Sequence, residues 1–358
     1  MALWVDKYRP KSLETLSHSA ALTSQLESLT MAAEDLPHIL FYGTNGGGKK
    51  TRCMALLAGI FGQGVFKLKI DVRQFVTPSN KKLELNVVSS PYHLEVTPSD
   101  MGNNDRIVVQ ELLKEIAQME HVDFQSNGEG LSRRYKVVVI NEAESLTRDA
   151  QAALRRTMEK YSRNIRIIMI CETMSNIIAP IKSRCMLVRV PAPLLSETVR
   201  IMENICSVEN VEANENKLYE IANFANGNLR VALLTFESIC LQNDLKLTES
   251  TALINPDWMV VVQKLAAMMM RERNVAYLVE CRATLYDLLS HCIPASIILH
   301  EMAFALLKNV HSDHLKLLVI HWASICDERL ALGNKAIYHL EGFLGRIMYE
   351  IETSLLMK

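Results

Sequence analysis

The sequence has no apolar run that approaches the roughly 18 residues needed to span a bilayer, which excludes a membrane-spanning helix. Its first residues, Met1-Ala2-Leu3-Trp4-Val5-Asp6-Lys7, lack the apolar core of a signal peptide, so secretion is not expected. Neither charge is in excess: 39 Lys and Arg face 40 Asp and Glu, for a net charge of −1. A wholly basic nucleic-acid protein is thereby excluded, although a local basic stripe is not. The 8 cysteines stand singly, and no C-x-x-C pair occurs. That argues against a zinc ribbon and for reduced thiols in a cytosolic or nuclear compartment. Internal repeats and low-complexity tracts are also missing. What remains is a chain of 358 residues, 49% apolar and 22% charged. That is the composition of a folded protein of two or three domains, not of a disordered one.

The first half alternates strand-like and helix-like segments. His38 to Tyr42, Phe66 to Ile70, Tyr135 to Ile140, Ile165 to Cys171 and Met186 to Val190 read as strands. Between them, 50–60 and 107–119 have helical spacing, and Thr147 is placed to cap a helix whose face is Ala150, Ala153, Leu154, Thr157, Met158 and Tyr161. This alternation predicts an α/β domain: a parallel sheet with helices on both faces. After Pro191-Ala192-Pro193 the strands stop. Segments 197–206, 215–224 and 229–241 read as short helices, and a polar linker runs from Asn243 to Asn255. Beyond Pro256 everything reads as helix, over 256–273, 275–290, 294–307, 313–330 and 335–351. Met268-Met269-Met270 is read as helix-core packing, not as a ligand site. The expected domains are 1–192, 193–250 and 251–358.

Gly43-Thr44-Asn45-Gly46-Gly47-Gly48-Lys49 sits between a buried strand and a helix. Glycines there let backbone N–H groups wrap a phosphate, the helix N-terminus adds its dipole, and the lysine reaches the β- and γ-phosphates. The alternative is a glycine-rich turn; the strand before and the helix after favour nucleotide. The residue after the lysine would ordinarily be Ser or Thr, to hold Mg²⁺. Here it is Lys50, with Thr51 one position late. The strand ending at Ile140 would ordinarily be followed by Asp-Glu; here Asn141-Glu142 follows, and a neutral amide is a poor Mg²⁺ ligand. Two substitutions that strike the same ion argue for weak or absent hydrolysis, with Glu142 left as a residual base.

These motifs resemble the AAA+ ATPases, and within them the small subunits of the eukaryotic clamp loader replication factor C. The likeness covers nearly the whole chain. It is carried by Val5-Asp6-Lys7-Tyr8-Arg9-Pro10, the loop Gly43 to Lys49, Asn141-Glu142-Ala143, the run Gln151 to Glu159, Ser183-Arg184-Cys185 and Gly227-Asn228-Leu229-Arg230. Tyr92 to Asp100 and Glu328-Arg329-Leu330 narrow it to a subunit type expected to carry a degenerate ATP site. The resemblance implies a RecA-like AAA+ domain, a three-helix lid and an all-α collar that closes a five-subunit ring. It implies that Val5, Tyr8, Arg9 and Pro10 line the adenine pocket. With them, Gly43, Thr44, Asn45, Gly46, Gly47, Gly48, Lys49, Lys50 and Thr51 would hold ADP or ATP without a well-held Mg²⁺. Arg230 would be the lid arginine near the phosphates, the alternative being a helix-surface arginine. Arg184 would be an arginine finger reaching into the neighbouring subunit, the alternative being an interface arginine on a neighbour's carboxylate. Glu172 stands where the family usually has Asn, and would set a carboxylate near the γ-phosphate.

The partners so implied are four other replication factor C subunits, the sliding clamp PCNA and primer-template DNA, in the nucleus and away from membranes. Gln110, Leu113, Ile116 and Ala117 form a degenerate clamp-binding pattern, or else an ordinary amphipathic helix. Asn103, Asn104, Arg106, Lys81 and Lys82 are candidate phosphate contacts, with a solvated charged face as the alternative. No aromatic stacking platform or base-reading motif is visible, so DNA binding would be independent of sequence. The expected function is a nucleotide-binding, hydrolysis-deficient clamp-loader subunit, and the resemblance extends the expectation to sharing with checkpoint and cohesion loaders. The rival is an active AAA+ motor that remodels DNA junctions, against which Lys50 and Asn141 speak.

Overall fold

The strands Ile39–Gly43 (β1), Lys136–Ile140 (β5) and Ile165–Cys171 (β6) are almost entirely buried, as continuous Val, Ile and Leu runs require when both faces of a sheet are covered. The structure, a computed structural model, describes residues 2–31, 36–76, 82–118, 135–162, 164–248, 251–271, 273–333 and 335–356. The chain divides into two units, 1–253 and 254–358.

The first unit begins with helices Trp4–Lys7 (α1) and Ala20–Met31 (α2), followed by β1 and Lys49–Phe61 (α3). Strands Lys69–Val76 (β2), Lys82–Ser89 (β3) and His93–Val96 (β4) come next, then Asp105–Gln118 (α4), β5, Arg148–Lys160 (α5), β6, Ala179–Lys182 (α6) and Met186–Val190 (β7). Sheet order is β2-β3-β4-β5-β6-β1-β7. From β4 to β7 every neighbouring pair is parallel, as expected; β2, β3 and β4 pair antiparallel. The strand expected over Phe66 to Ile70 is corrected: Gln63–Phe66 is a short 3-10 turn, and the strand starts at Lys69 as one arm of a hairpin.

Alternate residues of the central strands feed two cores. Leu40, Val138, Ile140, Ile167 and Met169 pack with Val109, Leu112 and Leu154 of α4 and α5. Ile39, Phe41, Val137, Val139, Ile168 and Ile170 pack with Leu26, Leu56 and Leu57 of α2 and α3. Thr147 caps α5 by accepting from the Ala150 N–H at 3.2 Å, and its own N–H and hydroxyl donate to the fully buried Asp105 at 2.7 and 2.8 Å.

Helices Leu195–Glu209 (α7), Glu215–Phe224 (α8) and Leu229–Gln242 (α9) complete this unit. The expected linker there contributes Lys246–Leu247 (β9), paired parallel with Glu212–Ala213 (β8). The second unit is all helix: Asp257–Arg271 (α10), Val275–Ser290 (α11), Ala295–Asn309 (α12), Asp313–Leu332 (α13) and Ala336–Leu356 (α14). Its core includes Leu265, Leu285, Met302, Leu306, Leu340 and Phe343. Of the methionine run, Met269 is fully buried and Met268 is exposed. Among the described residues no helix is long and apolar enough to cross a membrane.

His38 precedes β1, and its Nδ1 accepts the Ile167 N–H at 3.0 Å. Burial, with the Arg166 charge behind it, holds His38 down at about 4. The unfolded chain therefore binds the extra proton between about pH 6.5 and 4, and stability falls as pH falls through that window. One such group contributes a slope of at most about 1.4 kcal/mol per pH unit. A His38→Gln variant is expected to be less stable at pH 7 yet lose less between pH 7 and pH 5 than the parent. Urea midpoints at the two pH values test this; equal losses would show that His38 does not set the slope.

Candidate functional site

Because β5, β6, β1 and β7 run parallel, their carboxyl ends meet at one edge of the sheet, where a doubly covered α/β domain places its ligands. There β1 leads through the glycine loop into α3, Asn141 and Glu142 follow β5, and Glu172 follows β6, its carbonyl accepting the Gly43 N–H at 3.3 Å. Lys49 is mostly buried, and its ammonium donates to the carbonyls of Gly43 and Thr44, both at 2.9 Å. Burial pushes its pKa down; the carboxylates of Glu172 and Glu144 oppose that, and Arg230 adds to it. Glu142 adopts φ 50°, and its Oε2 accepts the Ser99 hydroxyl at 3.3 Å. Glu144 Oε2 is buried with no hydrogen-bond partner. Sequence reasoning missed Glu144; its place two residues after Glu142 was the available signal.

Beside the loop lies a cavity of about 260 Å³. Val5, Tyr8, Arg9 and Pro10 form one wall, Leu16 and His18 another, and Gly46, Gly48 and Thr51 its floor. Ile201, Ile205 and Val208 of α7 and Leu229, Arg230 and Leu233 of α9 close it. The N-terminal wall is tied to the lid helices. The Trp4 N–H donates to Glu237 at 3.0 Å, the Trp4 ring meets Phe236 at 5.3 Å between centroids, and Lys7 and the Tyr8 hydroxyl both donate to Glu209. The lid also touches the loop. At Gly46, with φ +68°, a Cβ would stand 1.7 Å from Asn228 Oδ1, and that oxygen caps α9 through the Val231 N–H at 3.2 Å. The slot is apolar along the N-terminal and α7 walls and meets loop glycines and Arg230, the chemistry to take a flat ring at one end and an anion at the other.

Lys50, expected among the residues that hold the nucleotide, is turned instead to a carboxylate. Its ammonium lies 2.6 Å from Glu95 Oε2 on β4. Glu95 is 4% exposed, and a carboxylate so buried must have a counter-charge, which Lys50 supplies from the first turn of α3.

A family model described as replication factor C subunit 3, C-terminal domain, matches residues 258–355. One described as RCF1/5-like, AAA+ ATPase lid domain, matches 200–241, and one described as DNA polymerase III, delta subunit, matches 19–193. Replication factor C subunit 5 of Saccharomyces cerevisiae is 62% identical, covering 97% of this chain and 99% of that protein. The chain belongs to the small subunits of replication factor C, in the AAA+ family. Replication factor C subunit 5 of Schizosaccharomyces pombe is 46% identical and subunit 3 of Homo sapiens 42%, each over 97% of this chain and 96% of the relative. A likeness to the solved RuvB Holliday junction branch migration motor of Thermotoga maritima, at 15% identity and a TM-score of 0.47 over 79% of this chain and 88% of that one, is too slight to bear on function.

The other residues that the replication factor C pattern singled out lie apart from the cavity. Arg184 follows α6 at the base of the edge strand β7. Its guanidinium is 2.6 Å from Glu159 of α5 and 2.7 Å from the Pro180 carbonyl, and is partly exposed. The clamp-binding pattern on α4 is corrected: Leu113 and Ile116 are 1% and 4% exposed, packed in the core against the sheet. Their helical spacing serves the fold, and as folded they offer no surface; Gln110 is exposed on the same helix, and of Ala117 only its place on α4 is described. Asn103 and Asn104 end a 3-10 segment ahead of α4, Arg106 is exposed in the helix's first turn, and Lys82 is exposed at the start of β3. Lys81 lies outside the described residues.

The Lys50–Glu95 pair makes a measurable claim. Lys50→Thr alone strands a buried carboxylate and should destabilise the chain by about 1–3 kcal/mol, whereas Lys50→Thr with Glu95→Gln should recover at least about half of that. Denaturant unfolding of the two singles and the double gives the coupling. Additive effects would mean that the pair is not energetically joined.

Proposed function

We propose that this replication factor C subunit binds adenine nucleotide in the cavity beside Gly43–Lys49, hydrolyses it poorly, and acts on chemistry in a neighbouring subunit through Arg184. The observation that carries the reading is the joint lining of one cavity by the N-terminal Val5-to-Pro10 segment, the phosphate loop and Arg230 of the lid. The base would enter the slot between Tyr8, Pro10, Ile205 and Leu233. Lys49 would exchange the Gly43 and Thr44 carbonyls for phosphate oxygens.

Mg²⁺ does not fit the donors present. The group after the loop lysine is an ammonium held by Glu95, and the residue after β5 is the amide Asn141. Glu172 and Glu144, whose charges reach Lys49, would oppose a third phosphate. ADP is therefore the preferred ligand. Calorimetry on the full chain should give ADP at least about tenfold tighter than ATP, a difference of roughly 1.4 kcal/mol, with little change on adding Mg²⁺. ATP bound more tightly than ADP in a Mg²⁺-dependent way would overturn this.

Arg184 suits a finger because it is always charged and forks onto two phosphate oxygens, and its present partner, Glu159, is partly exposed and exchangeable. In the family's setting the complex is the pentamer that loads PCNA onto primer-template DNA in the nucleus. Arg184→Ala in the reconstituted complex should leave assembly and nucleotide binding intact and slow one neighbouring site by about 10³ or more. Unchanged hydrolysis at that neighbour, with the other sites disabled, would rule the finger out.

A further inference from the structure

Residues 17–19 lie between the phosphate loop and the lid, and no motif accounts for His18. It is 6% exposed, and its Nε2 lies 3.3 Å from the Gly47 carbonyl oxygen. A carbonyl only accepts, so Nε2 carries the proton. Nδ1 is buried without a hydrogen-bond partner, and burial followed by the Arg52 charge lowers the ring's pKa, as befits a neutral imidazole. The residue is braced from behind. Arg52, 0% exposed, donates to the His18 carbonyl at 2.5 Å and to Thr23 Oγ1 at 3.2 Å, and its own N–H donates to the Gly48 carbonyl at 3.0 Å. On the other side the Ser19 N–H donates to Glu197 at 3.2 Å, and the same carboxylate accepts the Leu194 N–H at 2.8 Å at the start of α7. The backbone on either side of the ring is thus fixed, and the ring's hydrogen bond goes to the loop.

In a trans peptide the C=O of one residue and the N–H of the next point in opposite directions. Fixing the Gly47 carbonyl toward the imidazole therefore turns the Gly48 N–H the other way, away from the ring. We propose that His18 is a positioning residue of the phosphate loop: its Nε2–H holds the Gly47–Gly48 peptide plane so that the Gly48 amide is aimed at a nucleotide's phosphate. This rests on the nucleotide-binding reading above. His18 also lines the cavity, so the competing role is that of a wall for the base, and the two roles differ in which part of the ligand they serve.

The test is calorimetric titration of the full chain with ADP and with adenosine, for the parent, His18→Ala and His18→Gln. A positioning role weakens ADP binding in the alanine variant by roughly tenfold, the worth of one hydrogen bond, and leaves adenosine within about twofold. The glutamine amide can reach the same carbonyl and restores most of the ADP affinity. Thermal unfolding without nucleotide establishes that each variant is folded. If the alanine variant is not, His18→Leu, which fills the space without a donor, takes its place against His18→Gln. Equal losses for ADP and adenosine, an unchanged ADP affinity, or a glutamine variant as weak as alanine would each overturn the proposal. A parent chain that binds no ADP would remove the nucleotide reading itself, a result distinct from any difference among variants.

Discussion

The site depends on the seating of β1 between β6 and β7. Both pairings are parallel, so the strand delivers its last residue to the same edge as its neighbours. At that residue the contact is so close that only glycine serves: a Cβ on Gly43 would lie 2.0 Å from the Val190 carbonyl oxygen. The phosphate loop leaves the sheet against the backbone of β7, and the Gly43 N–H is fixed by Glu172 on the other side. That seating brings Lys49 to the Gly43 and Thr44 carbonyls and sets Glu172 beside the start of the loop.

Much of this was legible in the sequence because the signals are local. Buried parallel strands must be apolar throughout, so 136–140 and 165–171 could be read directly, as could the Thr147 cap. The hairpin was not legible. Its first arm alternates Lys69, Asp71 and Arg73 with the exposed Ile70 and Val72, and its pairing is fixed by antiparallel register against β3 and not by composition. Helical spacing at Leu113 and Ile116 states that one face is buried but not what buries it. Lys50 is a sharper case: its neighbours in sequence point to the phosphates, while its charge answers a buried carboxylate on another strand.

Charge at this edge is arranged unequally. Acids cluster after β5 and β6, whereas the fully buried Arg52 donates, among the described residues, to a carbonyl and a hydroxyl, with the Glu197 charge acting on it from farther off. Such a cation is tolerable because a guanidinium is weakly hydrated and its forked N–H groups find fixed acceptors. In exchange it stiffens the turn at 18–19, which touches the glycine loop through Gly47 and the start of α7 through Glu197.

The clasp between the first residues and the lid has two unlike anchors. Trp4 is buried, but the Lys7 contact to Glu209 is open to water, with the lysine half exposed. A buried anchor and an exposed one respond differently to ions: salt screens the second and leaves the first nearly untouched. Ionic strength therefore weakens one anchor of the cavity's N-terminal wall, at Lys7, and spares the other, at Trp4.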